Sequence, residues 1–401
     1  MDEIALRYLL LGLRLGRHHP RFVASYHGPG ELSEAVDGEP LTPTAELHDE
    51  ALQLAGMAAE LPVETAALRR RRAWLLAQVT AIGALARWVG GEEIGYLDLV
   101  EELYDVEVQL EPETTFEAAR RMVDATLPGP GPLRERLADH DRRNRVPADR
   151  VLAAASQMAG RLRARTRAQL WLPELESVAF AAVSAVPWAA DGRYLGSGRS
   201  LIRINLDQPL TFTALVEVAA HHAYPGRHTE ACVKEQQMSS AGLAELALIA
   251  RSSPQALVSE GMAGLAREVV MGDQELGLEM ERLAKSVEHQ LDLPAELMLE
   301  RARRLLRPAL GNAAVALHRD GEPIGQVRSY LADVALVNDD SLDDAISQLT
   351  DAAMRTEPFA HIEGRRLVSE WLEVHGQTHG FARLLAEQLT PSALRSELVS
   401  S

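Results

Sequence analysis

Apolar residues recur three and four positions apart along most of this chain, in long runs of alanine, leucine, glutamate and arginine. This spacing gathers the apolar side chains on one face of a helix, so it predicts helices over most of the length. Aromatic residues make up only 4% of the sequence, and segments with strand character are few. The expected fold class is therefore mostly α, with a small sheet that makes it α+β.

Two segments depart from the helical pattern, at residues 176–186 (ESVAFAAVSAV) and 199–206 (RSLIRINL). In the second, apolar and more polar side chains alternate, as they do in a strand with one solvated face. A turn-rich stretch, PWAADGRYLGSG, separates the two. We predict a hairpin or small sheet formed by these segments.

Turn signals also divide the chain at residues 127–132 (LPGPGP) and around residues 145–149. A chain of 401 residues is long enough for one large domain or two smaller ones. We predict an N-terminal helical lobe at residues 1–150 and a second lobe at residues 151–401, which holds the strands and the later helices.

The chain is acidic, with 58 Asp and Glu against 41 Lys and Arg, a net charge of −17. This charge argues against nucleic acid or an anionic membrane as the main partner, since both attract cationic surfaces. The basic runs at residues 69–72 and 301–307 follow helical patterns, and we interpret them as solvated helix faces.

No apolar run reaches the roughly 18 residues that a membrane span needs. The N-terminal segment has the pattern of an amphipathic helix and not that of a signal peptide. The single cysteine, Cys232, rules out an intramolecular disulfide and is consistent with a cytoplasmic location. We interpret Cys232 itself as a small buried residue and not as a nucleophile.

Residues 218–235 (VAAHHAYPGRHTEACVKE) concentrate histidine around a Pro-Gly pair. Two zinc ligands on one helix stand at i and i+4, but that position relative to His221 is Pro225. The adjacent His222 points about 100° away. His228 would lie about 10 Å further along a straight helix, although a bend at the Pro-Gly pair could return it. The residues alone favour helix-terminal histidines over a metal site and leave both open.

Further along lies SEGMAGLARE, residues 259–268. A helix that starts near Pro254 or Ser259 would place Glu260 in its first turn, where the helix dipole favours a carboxylate. The alternative interpretation makes Glu260 a metal ligand supplied from a second helix.

Together these segments resemble a bacterial family, the domain of unknown function 885 proteins, which are related to the HExxH zinc metallopeptidases of the gluzincin kind. The family's HEAxPGHH signature and its downstream SEGWA correspond to HHAYPGRH (residues 221–228) and SEGMA (residues 259–263). The N-terminal stretch LGLRLGRHHPRFVASYHGP resembles an actinobacterial branch. The resemblance implies a mostly helical, gluzincin-like fold with a small sheet flanking the active-site helix and a central groove.

Position by position, the resemblance implies zinc ligands at His221, His228 and Glu260. Met262 replaces the tryptophan of SEGWA, which we interpret as a packing change, and three chemically important residues also depart from the pattern. His222 stands in place of the glutamate that activates zinc-bound water, and Arg227 puts a permanent positive charge where the first of two paired histidines belongs. His361 replaces a tyrosine of the kind that stabilises an oxyanion.

These departures make His222, Arg227 and His361 the candidate catalytic residues. Candidate substrate-binding residues lie on the strand pair and beside the histidines: Tyr194, Arg199, Asn205 and Tyr224. The remaining histidines that we considered are interpreted as structural or solvated: His18, His19, His318, His375 and His379.

Two functions are compatible with this set. The favoured one is a divergent relative without standard peptidase activity, in which a cationic pocket binds a small-molecule or peptide ligand through a carboxylate or phosphate, or supports metal-free chemistry. The alternative is a zinc-dependent hydrolase of peptide or amide bonds, with His222 or His361 in proton transfer. In that enzyme a peptide would add to the strand at residues 199–206.

Overall fold

The computed structural model describes residues 1–186 and 188–400, and helices account for most of them. Before the first long strand the helices are α1 (Glu3–His18), α2 (Gly30–Gly38), α3 (Thr44–Ala59), α4 (Ala66–Val89), α5 (Tyr96–Tyr104), α6 (Glu113–Thr126), α7 (Leu133–Arg143) and α8 (Val151–Gln169). A short strand, β1 (Val23–Tyr26), follows α1. The prediction of a mostly helical chain is confirmed.

Three strands follow α8: β2 (Ser177–Val183), β3 (Ala190–Gly196) and β4 (Arg199–Asn205). The later elements are α9 (Phe212–His222), α10 (Arg227–Ala241), a 3-10 helix (Ala244–Ala247), β5 (Leu248–Ala250), α11 (Pro254–Val270), α12 (Asp273–Ser286), α13 (Leu293–Leu306), α14 (Ala309–His318), α15 (Ile324–Asp333), α16 (Asp339–Thr350), α17 (Glu357–His375), α18 (Gln377–Ala386) and α19 (Pro391–Val399).

Both predicted strands form, as β2 and β4, but they do not make a hairpin with each other. The strand order is β2-β4-β3, with β2 parallel to β4 and β3 antiparallel to it. The hairpin partner of β4 is β3, which lies inside the stretch that we interpreted as a turn. Gly192 and Gly196 lower the strand propensity of that stretch and conceal the strand from pattern analysis.

This order corrects the expectation that a peptide adds to residues 199–206. Because β4 is paired on both sides, its backbone has no free edge. The expected alternation along β4 is largely confirmed: Ile202 and Ile204 are buried, whereas Leu201 and Arg203 are half-exposed.

The hydrophobic core is continuous across the predicted boundary near residue 150. Strand β1 pairs antiparallel with β5, which joins the beginning of the chain to its later part. One buried cluster includes Tyr8 and Trp74 from early helices together with Leu257 and Trp371 from α11 and α17. Among the described residues, no helix is long and apolar enough to cross a membrane.

Helices α11 and α17 cross in direct backbone contact. A methyl group added to Gly261 would overlap the carbonyl group of Gly364, and one added to Gly364 would overlap the Leu257 carbonyl oxygen. Glycine at both positions therefore permits an approach that any side chain would prevent. The neighbouring residues Glu260 and His361 are brought together by this crossing.

Candidate functional site

Two helix ends and a break between them position the histidine segment. Helix α9 begins at its N-cap Thr211, whose hydroxyl accepts a hydrogen bond from the Ala214 amide at 3.2 Å, and it ends at His222. The chain then turns through a cis Tyr224–Pro225 peptide bond, and α10 begins at Arg227. The predicted break at the Pro-Gly pair is confirmed.

Glu260 is the centre of a compact group of charged and titratable side chains, which we name the Glu260 cluster: His221, Arg227, Glu260 and His361. Its carboxylate oxygen Oε2 lies 3.3 Å from both His221 Nε2 and His361 Nδ1. The other oxygen, Oε1, lies 3.7 Å from the Arg227 guanidinium. Three separate helices, α9, α10 and α17, thus direct nitrogen atoms at one carboxylate of α11.

The helix dipole does not account for Glu260: the expected helix start at Pro254 is confirmed, but the expectation that it places Glu260 in the first turn is wrong. Helix α11 begins at Pro254, with the Ser253 hydroxyl as its N-cap, so Glu260 lies in the second turn. The Oε2 atom is shielded from solvent and makes no well-formed hydrogen bond to any described residue. This oxygen is therefore an acceptor without a well-formed hydrogen bond, and two imidazole rings lie beside it.

The electrostatics of the cluster favour an ionised carboxylate. Burial alone would raise the pKa of Glu260, but His361, Arg227 and His221 outweigh it and hold the pKa well below its usual range. Burial opposes the charge on Arg227, yet Glu260 and Glu230 raise its pKa. The Arg227 guanidinium also lies 3.4 Å from Glu230 Oε2. Arg227 is therefore a fixed cation between two carboxylates.

Glu230 is itself anchored through its other carboxylate oxygen. Its Oε1 accepts hydrogen bonds from Lys234 Nζ at 2.5 Å and from Gln255 Nε2 at 3.2 Å, and it also contacts the Ser259 hydroxyl. Burial would raise the pKa of Glu230, but Lys234 and Arg227 lower it. The carboxylate that holds Arg227 in place is thus kept charged by a second cation.

A groove of about 960 Å³ opens beside the cluster. His221, Glu260 and His361 lie in its wall, and one face of α17 continues from His361 to Glu370. At 1.5 Å per helical residue that face is about 13 Å long. The lining also includes apolar side chains: Leu306, Leu310, Leu331, Ala335, Leu336, Val337 and Ile362. The groove suits an elongated ligand with both apolar and polar parts.

Five arginines also line this groove: Arg303, Arg304, Arg307, Arg365 and Arg366. Three of them belong to the basic run at residues 301–307: Arg307 is exposed, as the interpretation of a solvated helix face expects, whereas Arg303 and Arg304 are half-buried. Glu268 fixes two of the side chains, since its Oε1 lies 2.9 Å from Arg304 and 2.6 Å from Arg365. A basic residue on a helix shows no sequence signal that separates a groove wall from an outer surface, so pattern analysis misses them.

His222 points away from this centre, towards the sheet. A Cβ atom on Gly192 of β3 would lie 3.0 Å from His222 Nδ1, so the ring packs against that glycine. Desolvation, and then the neighbouring His221, lower the pKa of His222 well below its usual range. The imidazole is neutral at neutral pH, and it is not among the residues of the groove wall.

His228 belongs to a different, fully buried network. Its Nε2 lies 3.1 Å from Glu176 Oε2, and its Nδ1 lies 2.7 Å from the Ser200 hydroxyl. The Tyr224 hydroxyl donates a short hydrogen bond to the same Glu176 oxygen. Burial lowers the pKa of His228, although Glu176 acts in the opposite direction. Each ring nitrogen therefore already has a partner inside the fold.

The predicted metal set is not assembled, because His221 and Glu260 meet in the groove whereas His228 is held by Glu176. Among the described residues, no three or more His, Cys, Asp or Glu side chains are arranged to hold a metal ion. The guanidinium of Arg227 already lies beside the Glu260 carboxylate, and its positive charge opposes a metal ion there. The side chains present do not fit the zinc site that the family resemblance implies.

The candidate substrate-binding residues do not converge on the groove. The Tyr194 hydroxyl donates to Glu235 at 2.6 Å, and Asn205 Nδ2 donates to the Val186 carbonyl at 2.8 Å. Tyr224 is buried against Glu176, whereas Arg199 is exposed at the start of β4. Three of the four are thus occupied by contacts within the fold.

The residues that we interpreted as structural lie outside the groove. Cys232 is buried, and burial raises the pKa of its thiol to about 12. His318 Nε2 lies 2.7 Å from the Leu349 carbonyl, and His375 stacks on Trp371 with ring centroids 4.0 Å apart. None of these side chains is arranged for chemistry in the groove.

No protein-family model and no curated protein matches this chain. Among solved structures it is similar to a proposed lipoprotein from Colwellia psychrerythraea, with a TM-score of 0.54 at 14% identity over 92% of this chain and 69% of the other. A second proposed lipoprotein, of unknown function, from Shewanella oneidensis gives a TM-score of 0.49 at 12% identity, over 92% and 76%. The first likeness supports a shared overall fold; at this identity it does not extend to activity.

Proposed function

We propose that this protein is a divergent relative of the zinc metallopeptidases that binds an anionic ligand in its groove and does not hydrolyse peptides by the zinc mechanism. The observation that carries this proposal is the position of Arg227. Its guanidinium, 3.7 Å from Glu260 and 3.4 Å from Glu230, supplies the positive charge that a metal ion would supply to such carboxylates.

The arrangement of His221 and His361 supports a binding or proton-transfer role without metal. A carboxylate beside an imidazole nitrogen orients the ring and favours a proton on that nitrogen. With His361 Nδ1 turned to Glu260, the opposite nitrogen, Nε2, can donate a hydrogen bond to an anionic ligand when the imidazole is protonated, since only the protonated ring donates from both nitrogens. Burial lowers the pKa of His361, so an anion that binds at Nε2 does so together with a proton. The His361 side chain is 52% exposed, so a molecule in the groove can reach it.

The walls of the groove support a ligand that combines charge with an apolar body. Arginine pairs readily with carboxylate and phosphate groups, and five arginines line the groove together with leucine, alanine and valine side chains. A volume of about 960 Å³ is at the upper end for small-molecule sites and also accommodates a short peptide. A carboxylate or phosphate with an attached apolar chain has the chemistry that this surface complements.

Isothermal titration calorimetry with two probes tests the proposal. Decanoate carries a carboxylate and an apolar chain, whereas inorganic phosphate carries charge alone. We expect decanoate to bind more tightly than phosphate, and His361→Ala to weaken decanoate binding by about tenfold, the loss of one charge-assisted hydrogen bond.

The matched control is His379→Ala, which removes an exposed histidine outside the groove wall. It should bind both probes as the unaltered chain does. If neither probe binds, or if His361→Ala and His379→Ala lose the same affinity for decanoate, the groove holds no anion site of this kind.

A further inference from the structure

Strand β2 is an edge strand with a free row of backbone hydrogen-bonding groups. In its parallel pairing with β4, the Ser177 amide donates to the Gly198 carbonyl at 2.8 Å, and the Val183 carbonyl accepts from Leu206 at 2.9 Å. The odd-numbered residues of β2 therefore face β4. The N–H and C=O groups of Val178, Phe180 and Ala182 point to the opposite side.

Among the described residues, these three donors and three acceptors have no hydrogen-bond partner. No residue of β2 is fully buried, as expected for a strand that nothing covers. The register with β4 runs without a bulge from Ser177 to Val183. The outer edge is thus straight and open to a further strand.

This edge lacks the features by which proteins usually prevent strand addition. Exposed edges are commonly protected by charged side chains, proline or a bulge. Residues 177–186 (SVAFAAVSAV) contain no charged residue and no proline. Close to the beginning of β2, Leu175 is 91% exposed and Trp171 is 53% exposed. The edge and its surroundings have the character of an interface.

We propose that β2 pairs antiparallel with β2 of a second copy of this chain, about a twofold axis at Phe180. With the axis there, Phe180 faces Phe180 of the second copy, and Val178 faces Ala182. Every outward N–H and C=O group of the three residues then has a partner, because each outward residue meets another outward residue. The edge is self-complementary in this register.

The side chains favour a second copy as the occupant. No charged residue of β2 opposes a like charge across the axis, so the usual penalty for pairing a strand with itself is absent. The two Phe180 rings would form a cross-strand aromatic pair.

A one-strand contact is small, so we expect a weak dimer, with a dissociation constant on the order of 10 µM, at the weak end of the range for specific interfaces. Light scattering after size-exclusion chromatography should give a mass that rises with concentration from 43.8 kDa towards twice that value.

Ala182→Pro removes one outward N–H and leaves the ladder to β4 intact, since proline is tolerated at such edge positions. At a concentration where the unaltered chain is a dimer, Ala182→Pro should be a monomer. The matched control, Ala182→Ser, keeps the N–H and should remain a dimer. Circular dichroism checks that both variants fold.

Cysteine cross-linking tests the register of the pairing. In a hydrogen-bonded antiparallel pair the two Cα atoms at the axis are about 5.5 Å apart, which suits a disulfide. Phe180→Cys, with Cys232→Ala, should therefore form a disulfide-linked dimer under mild oxidation. Ser177→Cys in the same background should not, since its two copies would lie about 20 Å apart.

A monomer at all concentrations up to about 100 µM, roughly ten times the expected constant, would overturn the proposal. A dimer that cross-links at neither position, or equally at both, would also overturn it, because its interface would lie elsewhere. Cross-linking at position 180 alone, with loss of the dimer in Ala182→Pro, is the result that the proposal predicts.

Discussion

Replacement of Arg227 by glutamine tests whether this residue neutralises the Glu260 cluster. The guanidinium lies 3.7 Å from Glu260 and 3.4 Å from Glu230. At an effective dielectric constant near 20, each contact corresponds to about 4 to 5 kcal/mol before desolvation is subtracted. Removal of one partner of a buried ion pair costs about 3 to 5 kcal/mol.

The side chains of Arg227 and Glu260 are 24% and 18% exposed. Partial exposure places the effect at the lower end of that range. We therefore expect Arg227→Gln to lower the free energy of unfolding at pH 7 by about 3 kcal/mol. Urea denaturation followed by circular dichroism measures this change.

The pH dependence of this effect has a defined sign. The pKa of Glu260 is lowered in the folded chain, so its charge stabilises the fold above the unfolded pKa of about 4.3, and that contribution is lost as pH falls through the folded value. In Arg227→Gln the carboxylate is left without its cation, and protonation relieves it. The difference between the two proteins should thus be full at pH 7 and should shrink as pH falls below about 4.3, the unfolded pKa.

The matched control is Arg142→Gln, which breaks an exposed ion pair with Asp139 at 2.7 Å. It should cost less than about 1 kcal/mol. A double-mutant cycle with Glu260→Gln should give a coupling energy of about 2 kcal/mol between Arg227 and Glu260. If Arg227→Gln costs no more than the control, or if the cycle gives no coupling, Arg227 does not act as the cation of this cluster.

Three further predictions concern the elements around the groove. Gly261→Ala should lower the free energy of unfolding by about 3 kcal/mol in a urea titration, since its methyl group would force α11 away from α17. In the control Gly264→Ala, the nearest atom to the new methyl group is 3.8 Å away, so the free energy of unfolding should stay nearly unchanged. The thiol of Cys232, with its pKa raised to about 12 by burial, should react with a thiol reagent at pH 8 only after unfolding; a fast reaction in the folded protein would contradict this. His228→Ala should lower the melting temperature and leave decanoate binding intact. His361→Ala should weaken decanoate binding and leave the melting temperature unchanged. If both variants changed the same measurement, the two histidines would not belong to separate networks.

Periodicity and turn chemistry were sufficient for much of the fold. The apolar spacing predicted the helices, and the Pro-Gly pair predicted the break between α9 and α10. Strand β3 was missed because two of its seven residues are glycine, so its pairing is determined by β4 and not by local propensity. The parallel pairing of β2 with β4 depends on that missed strand.

The candidate site was predictable where the chain itself constrains it. Sequence likeness located His221, Glu260 and His361, which meet in the groove although 140 residues separate the first from the last. It did not place His228 correctly, because the partner Glu176 lies 52 residues earlier and has no motif of its own. The arginines of the groove wall were likewise hidden, since their orientation depends on how α13 and α17 pack.

Equilibrium zinc binding tests the central claim most directly. The untagged chain and a His221→Ala, Glu260→Ala variant are each dialysed against zinc at about 10 µM, which is well above the dissociation constants of protein zinc sites. Elemental mass spectrometry then compares their zinc content. We predict equal zinc in both proteins, far below one ion per chain. One zinc ion per chain, lost in the variant, would contradict the account and restore the metallopeptidase interpretation.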